Sequence, residues 1–264
     1  MLEVFIITLL FIGLTYSFGL LYMIVNNKIS TNLKLAFGWK GFCLFASIGT
    51  PFHELTHLLM SWLFLHKVTE VKFFRPIKSY KEYKSGQKNI TLGYVNHSYK
   101  KTPYRMMGNF FIGASPMIIG MGSIVLVLRL LFPESFIDIS ALNINNLKSF
   151  AANILLILFN IFSKDNMLSW KFWLLIFIIV AIASHMDMSI PDIKGTFNGL
   201  LPLIIITQLI PIILVIFTGL NYIQIYNFYL MITTYYLFIL IFGLVVSLIL
   251  WALFYSINII KKST

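Results

Sequence analysis

Pro51-Phe52-His53-Glu54-Leu55-Thr56-His57-Leu58-Leu59-Met60 sets two imidazoles and a carboxylate inside an apolar run, Gly41 to Leu65, that is long enough to cross a bilayer. Residues four apart share a helix face, so a helix here turns His53 and His57 toward one metal ion. Glu54, one step round, then reaches a water beside that metal. Ionisable groups in a hydrophobic helix are costly and default to functional readings. The bland alternative is a polar face paired with other buried polar groups. The His-Glu-x-x-His spacing makes it the weaker reading and points to metal-assisted hydrolysis.

The rest of the chain fits a membrane setting. Of 264 residues 59% are apolar and only 11% charged, and the mean hydropathy of +0.87 excludes a soluble domain of this length. The net charge of +11 comes from basic residues lying between apolar segments. That placement favours anionic lipid headgroups of the bilayer over nucleic acid as partner. The single Cys43 provides neither a disulfide framework nor a thiolate metal knuckle. No Lys or Arg precedes the first apolar run and no small-residue cleavage pattern follows it, so it reads as a retained span. Abundant Ile, Lys and Asn point to an AT-rich bacterial source, and the expected location is the cell membrane, multi-pass.

Apolar windows run from Val4 to Val25, Gly41 to Leu65, Phe110 to Phe132, Leu168 to Met186, Leu200 to Leu220 and Phe228 to Ile259. They predict an all-α polytopic membrane protein with about six transmembrane helices, forming one domain over residues 1–264. A shorter run, Phe150 to Phe162, is expected not to span. Between His66 and Asn109 lie ten Lys or Arg against Glu70 and Glu82, which predicts a cytoplasmic segment and places Lys261 and Lys262 on the same side. The short loop expected after the first helix holds Lys28, Lys34 and Lys40 and would then be external, against the same rule. Within the basic segment, Val68 to Arg75 and Ile90 to His97 predict a β-hairpin around a turn at Ser85-Gly86. Its edge is a candidate pairing site for an extended substrate strand, since the segment is too short for a separate peptide-binding domain. The next span, with Gly108, Gly113, Ser115, Pro116, Gly120 and Gly122, reads as a close-packing helix with room for a kink.

A catalytic metal of this kind takes three protein ligands and leaves a fourth position for water. The metzincin continuation would need a His at position 63, which is Leu, and His66 is out of register. His66 and His97 read as ordinary loop residues. The remaining candidates are His185, Asp187 and Asp192, which lie within eight residues at the expected end of the fourth span.

With these residues in place the chain, from about Gly41 to Gly199, resembles the site-2 protease class of intramembrane zinc metalloproteases. In that class a membrane helix carrying His-Glu-x-x-His is completed by an Asp from a later helix, often in an Asn-Pro-Asp-Gly setting. Pro191-Asp192 is the nearest match here, with Ile193-Lys194 where the class commonly has Gly. The resemblance implies Zn2+ held by His53, His57 and Asp192. Glu54 would then activate water to hydrolyse peptide bonds of membrane-embedded protein or peptide precursors. The rival expectation is a non-catalytic metal-binding membrane protein, a transporter or an immunity-type protein. Neither an internal repeat nor a line of acidic residues through the spans supports transport.

Overall fold

The structure is a computed structural model that describes residues 2–87, 90–133, 152, 155–157, 159–219 and 221–263. Its first helical element, α1 (Leu2–Leu63), changes direction at Gly38, whose φ of 68° and ψ of −176° lie in a region open essentially to glycine alone. Asn26 and His53 both touch the short segment 185–187. On an uninterrupted helix they would stand about 40 Å apart. The chain therefore folds back at Gly38, and residues 2–37 and 39–63 form two antiparallel limbs. No loop separates them, in contrast to the sequence expectation. Lys28 lies over the Trp251 ring, Lys34 over Phe42, and Asn32 bonds to Asn258, so the polar residues expected in a loop find partners along a helix.

After α1 come β1 (Lys67–Lys72), α2 (Pro76–Lys84), β2 (Tyr94–Ser98), α3 (Pro103–Leu131), α4 (Lys164–Leu168), α5 (Trp170–Ala183), α6 (Ile190–Thr218) and α7 (Tyr222–Ser263). All six apolar windows fall largely on helix, two of them on α1. Four described helices, α1, α3, α6 and α7, are long and apolar enough to cross a membrane. Helix α5 has 14 residues, about 21 Å, short of a bilayer core of about 30 Å. The window of α6 with mean hydropathy 2.8 is only 17% buried, so most of its apolar surface faces outward, as a lipid-facing helix requires. Much of the Phe150 to Phe162 run lies outside the described residues.

The first limb of α1 runs alongside α7 in the same direction. Thr15 meets the Tyr236 hydroxyl at 2.8 Å, Tyr22 donates to the Leu240 carbonyl at 2.7 Å, and Asn258 donates to Asn32. Helix α6 runs the opposite way beside the same limb, pairing Tyr16 with Thr196 and Thr8 with Thr207. Helix α5 follows the second limb, with Phe177 against Phe45 and His185 against His53. Together α5 and α6 form one broken helix, interrupted at residues 184–189 where it passes His53. Core side chains from α1, α3, α5 and α7 meet around Tyr22, Met117, Met121, Leu175 and Phe242, while Leu203 of α6 packs with Ile12 and Phe110 in a second, smaller cluster.

The expected hairpin is present but differs in its connection. Strands β1 and β2 pair antiparallel, Lys72 opposite Tyr94 and Lys67 opposite Ser98, with an irregularity between Val68 and Glu70. The predicted turn region begins as helix α2, started by Pro76 and ended with Lys81 and Lys84 in its last turn, a charge order that suits the helix dipole. The segment does not simply extend beyond the end of α1. It doubles back along the second limb, and Tyr83 stacks on Trp39 at 4.5 Å, beside the Gly38 turn. Lys34, Lys40, Lys78, Lys81 and Lys84 thus share one end of the bundle. Lys261, which donates to the Ala36 carbonyl at 2.5 Å, joins them.

Candidate metal centre

His53 and His57 lie on the second limb of α1, one helical turn apart, with their Nε2 atoms 3.1 Å from each other. What those nitrogens carry follows from the other side of each ring. His53 Nδ1 is 2.5 Å from the carbonyl of His185, and His57 Nδ1 is 2.8 Å from the carbonyl of Ile112. A carbonyl only accepts, so both Nδ1 atoms hold the proton, and each neutral ring turns a bare Nε2 lone pair toward the other. Two bare nitrogens in such contact need a cation between them or an extra proton on one ring.

Asp192 brings a third donor. Its Oδ1 lies 3.5 Å from His57 Nε2, while its Oδ2 accepts from the Ser189 backbone N–H at 2.9 Å and the Ser189 hydroxyl at 2.5 Å. The Ser189 hydroxyl in turn accepts from the Asp192 N–H at 3.3 Å, which completes a capping box at the start of α6. One carboxylate oxygen is held by the helix start and the other is presented to the histidines. Among the described residues His53, His57 and Asp192 form the group of metal-ligating type, their donor atoms all within 4.8 Å of one another. Two nitrogens on a tetrahedral zinc would lie about 3.3 Å apart, close to the observed spacing, so the residues fit such an ion.

Close backbone approach assembles these pieces. A Cβ on Gly113 of α3 would collide with the Asp192 carbonyl and the Thr196 side chain, and one on Gly49 with the Ala181 carbonyl and the His185 ring. Bare glycine lets the elements that carry His53, His57 and Asp192 close to this distance. Glu54 is 6% exposed, its Cγ packed where the hairpin passes at Gly93.

The other sequence candidates are placed apart from the donor group. Asp187 accepts from Asn26 Nδ2 at 3.4 Å, and the His185 ring stacks on Phe42 while its Nδ1 donates to the Ala181 carbonyl at 3.1 Å. His185 contributes its backbone instead. The expectation that Asp192 ends the fourth span is corrected: it sits at the third position of α6, because Ser189 and Pro191 start a new helix there.

His66 and His97 form a second imidazole pair with different protonation. His66 Nε2 faces the Arg105 carbonyl at 2.8 Å and so carries the proton. Its bare Nδ1, 2.9 Å from His97 Nδ1, accepts the His97 N–H. An ordinary hydrogen bond satisfies this pair and no cation is required. Burial, then the neighbouring His66, pushes the His97 pKa down to about 4, and burial lowers His66 as well.

Sequence reasoning missed the two orienting carbonyls, the Ser189 brace and Asn26. Only Ser189 left a readable signal, as a serine three residues before an acid just ahead of an apolar run. Comparison of this chain with protein-family models, with curated proteins and with solved structures found no match.

Proposed function

We propose that this chain is a zinc-dependent intramembrane peptidase, with His53, His57 and Asp192 as metal ligands and Glu54 as general base. The observation that carries the reading is the convergence of two bare Nε2 atoms and one free carboxylate oxygen on a single point, with the buried Glu54 next in sequence to His53. A bound zinc would supply Lewis-acid polarisation of water and of the scissile carbonyl at neutral pH. Glu54 takes the proton of the attacking water and delivers it to the leaving amine nitrogen. The Nδ1–H bonds to Ile112 and His185 hold both imidazoles in the ligating tautomer throughout.

A membrane-embedded peptide is the substrate class that suits the surroundings, because the site lies among helices with apolar outer faces. Basic residues flank both ends of the second limb, Lys34, Lys40 and Lys261 at the Gly38 turn and Lys67, Lys100 and Arg105 beyond Leu63, as headgroup-facing ends of a membrane helix would carry them. His57 is six residues, about 9 Å, from Leu63 at one end of its limb and nineteen residues, about 28 Å, from Gly38 at the other. Water therefore reaches the site over a shorter path from the Leu63 end. An unwound substrate needs partners for its freed backbone groups, and the edge of the β1–β2 hairpin is positioned to offer them.

The test is Glu54→Gln in protein reconstituted with a library of fluorogenic single-span peptides. Cleavage should fall by about 10²–10⁴-fold while zinc content stays at the wild-type level. Equal cleavage by both proteins would remove Glu54 from the chemistry. Zinc binding with no cleavage by the wild type would favour a non-catalytic metal-binding protein.

A further inference from the structure

Pro116 lies buried in the middle of α3, where that helix passes the histidine pair. A proline has no N–H for the carbonyl four residues earlier, and its ring pushes that carbonyl off the helix axis. Four residues before Pro116 is Ile112, whose oxygen accepts His57 Nδ1–H at 2.8 Å and the Ser115 hydroxyl at 2.8 Å. The bond that would normally occupy this oxygen is missing because of the proline, and the ligand histidine stands in its place.

His53 follows the same logic by another route. In an unbroken helix the His185 carbonyl would accept from the Ser189 N–H, but that N–H donates to Asp192 Oδ2. The carbonyl is thereby left for His53. Both imidazoles are thus oriented by carbonyls that their own helices have released, one by a proline and one by a helix break.

We infer that Pro116 is a positioning residue of this site, freeing the Ile112 carbonyl to hold His57 as the Nδ1–H tautomer with Nε2 bare toward His53 and Asp192. Its effect on zinc rests on the proposed metal site; its effect on the tautomer does not. Returning an N–H at position 116 restores the helical bond to Ile112 and draws its carbonyl back onto the axis. A mid-helix proline is a poor helix residue, so Pro116→Ala should leave the metal-free protein at least as stable as wild type. Its zinc affinity should nevertheless fall, by about 10–100-fold, the usual effect of removing a group that orients a ligand. Loss of packing alone would lower both together.

The experiment measures thermal unfolding of metal-free wild type and Pro116→Ala, and zinc dissociation constants by chelator competition. It adds the tautomer of His57 by 15N chemical shifts in 15N-histidine-labelled wild type. An undiminished melting temperature with weakened zinc binding supports the inference, and unchanged zinc binding in the folded variant overturns it. If Pro116→Ala does not fold, the tautomer decides: a proton on Nδ1 supports the role of the Ile112 carbonyl and a proton on Nε2 refutes it. If wild type takes up no zinc, the metal reading has failed, and the same tautomer measurement still upholds or refutes the role of the carbonyl.

Discussion

Ser189 grips one oxygen of Asp192 with both its backbone N–H and its hydroxyl, at 2.9 and 2.5 Å, and leaves the other oxygen facing His57. The start of α6 is therefore also the device that presents the third donor. A helix-capping contact of this sort is common in proteins; here it fixes which carboxylate oxygen is available.

Ser189→Gly separates the two duties, since glycine caps nearly as well as serine but has no hydroxyl. Thermal stability should change little while zinc affinity falls by about 10-fold or more, and Ser189→Thr should restore it. Chelator competition on the three proteins reads the result. Equal affinities would reduce Ser189 to a plain cap.

Gly38→Ala addresses the reversal of α1. Its φ of 68° with ψ near 180° is strained for any residue with a Cβ, costing about 1–3 kcal/mol, although nothing within 4 Å crowds the position. The melting temperature should drop accordingly. An unshifted transition would mean that the reversal does not depend on this conformation.

Gly93→Ala places a methyl against the Glu54 side chain and the carbonyls of Lys72 and Phe73. The hairpin must shift away from Glu54, so peptide cleavage should fall about 10-fold or more with zinc content unchanged. Retained cleavage would show that the hairpin's approach to Glu54 is incidental.

The His66–His97 pair makes stability pH-dependent with a defined sign. Unfolded histidine titrates near 6.5 and His97 in the fold near 4, so between these values the unfolded chain binds the extra proton. The stabilising contribution is complete above pH 6.5, is lost as pH falls toward 4, and changes no further below that. Melting temperatures from pH 7 to 4 should decline in wild type and decline less in His97→Gln. Parallel curves would contradict the burial of neutral His97.

The facing of His53 and His57 was legible because four-residue spacing has meaning on any helix, and the apolar windows were legible because lipid demands uninterrupted runs. The turn at Gly38 was not, since Lys28, Asn32 and Lys34 look like loop residues until Trp251, Phe42 and Asn258 stand beside them. Choosing Asp192 over Asp187 from the residues alone was equally beyond local pattern. Both are acids near the same helix break, and only packing sends Asp187 to Asn26 and Asp192 to His57. The Ile112 and His185 carbonyls are invisible in a sequence, because every residue has one and only the fold says which are unpaired.

The most direct measurement is the zinc content of detergent-purified protein, comparing wild type with His57→Ala, Asp192→Ala and Asp187→Ala at matched folding. The account predicts about one zinc per chain in wild type and Asp187→Ala, and near none in the other two. Metal-free wild type, or binding that survives loss of His57 and Asp192, would contradict it.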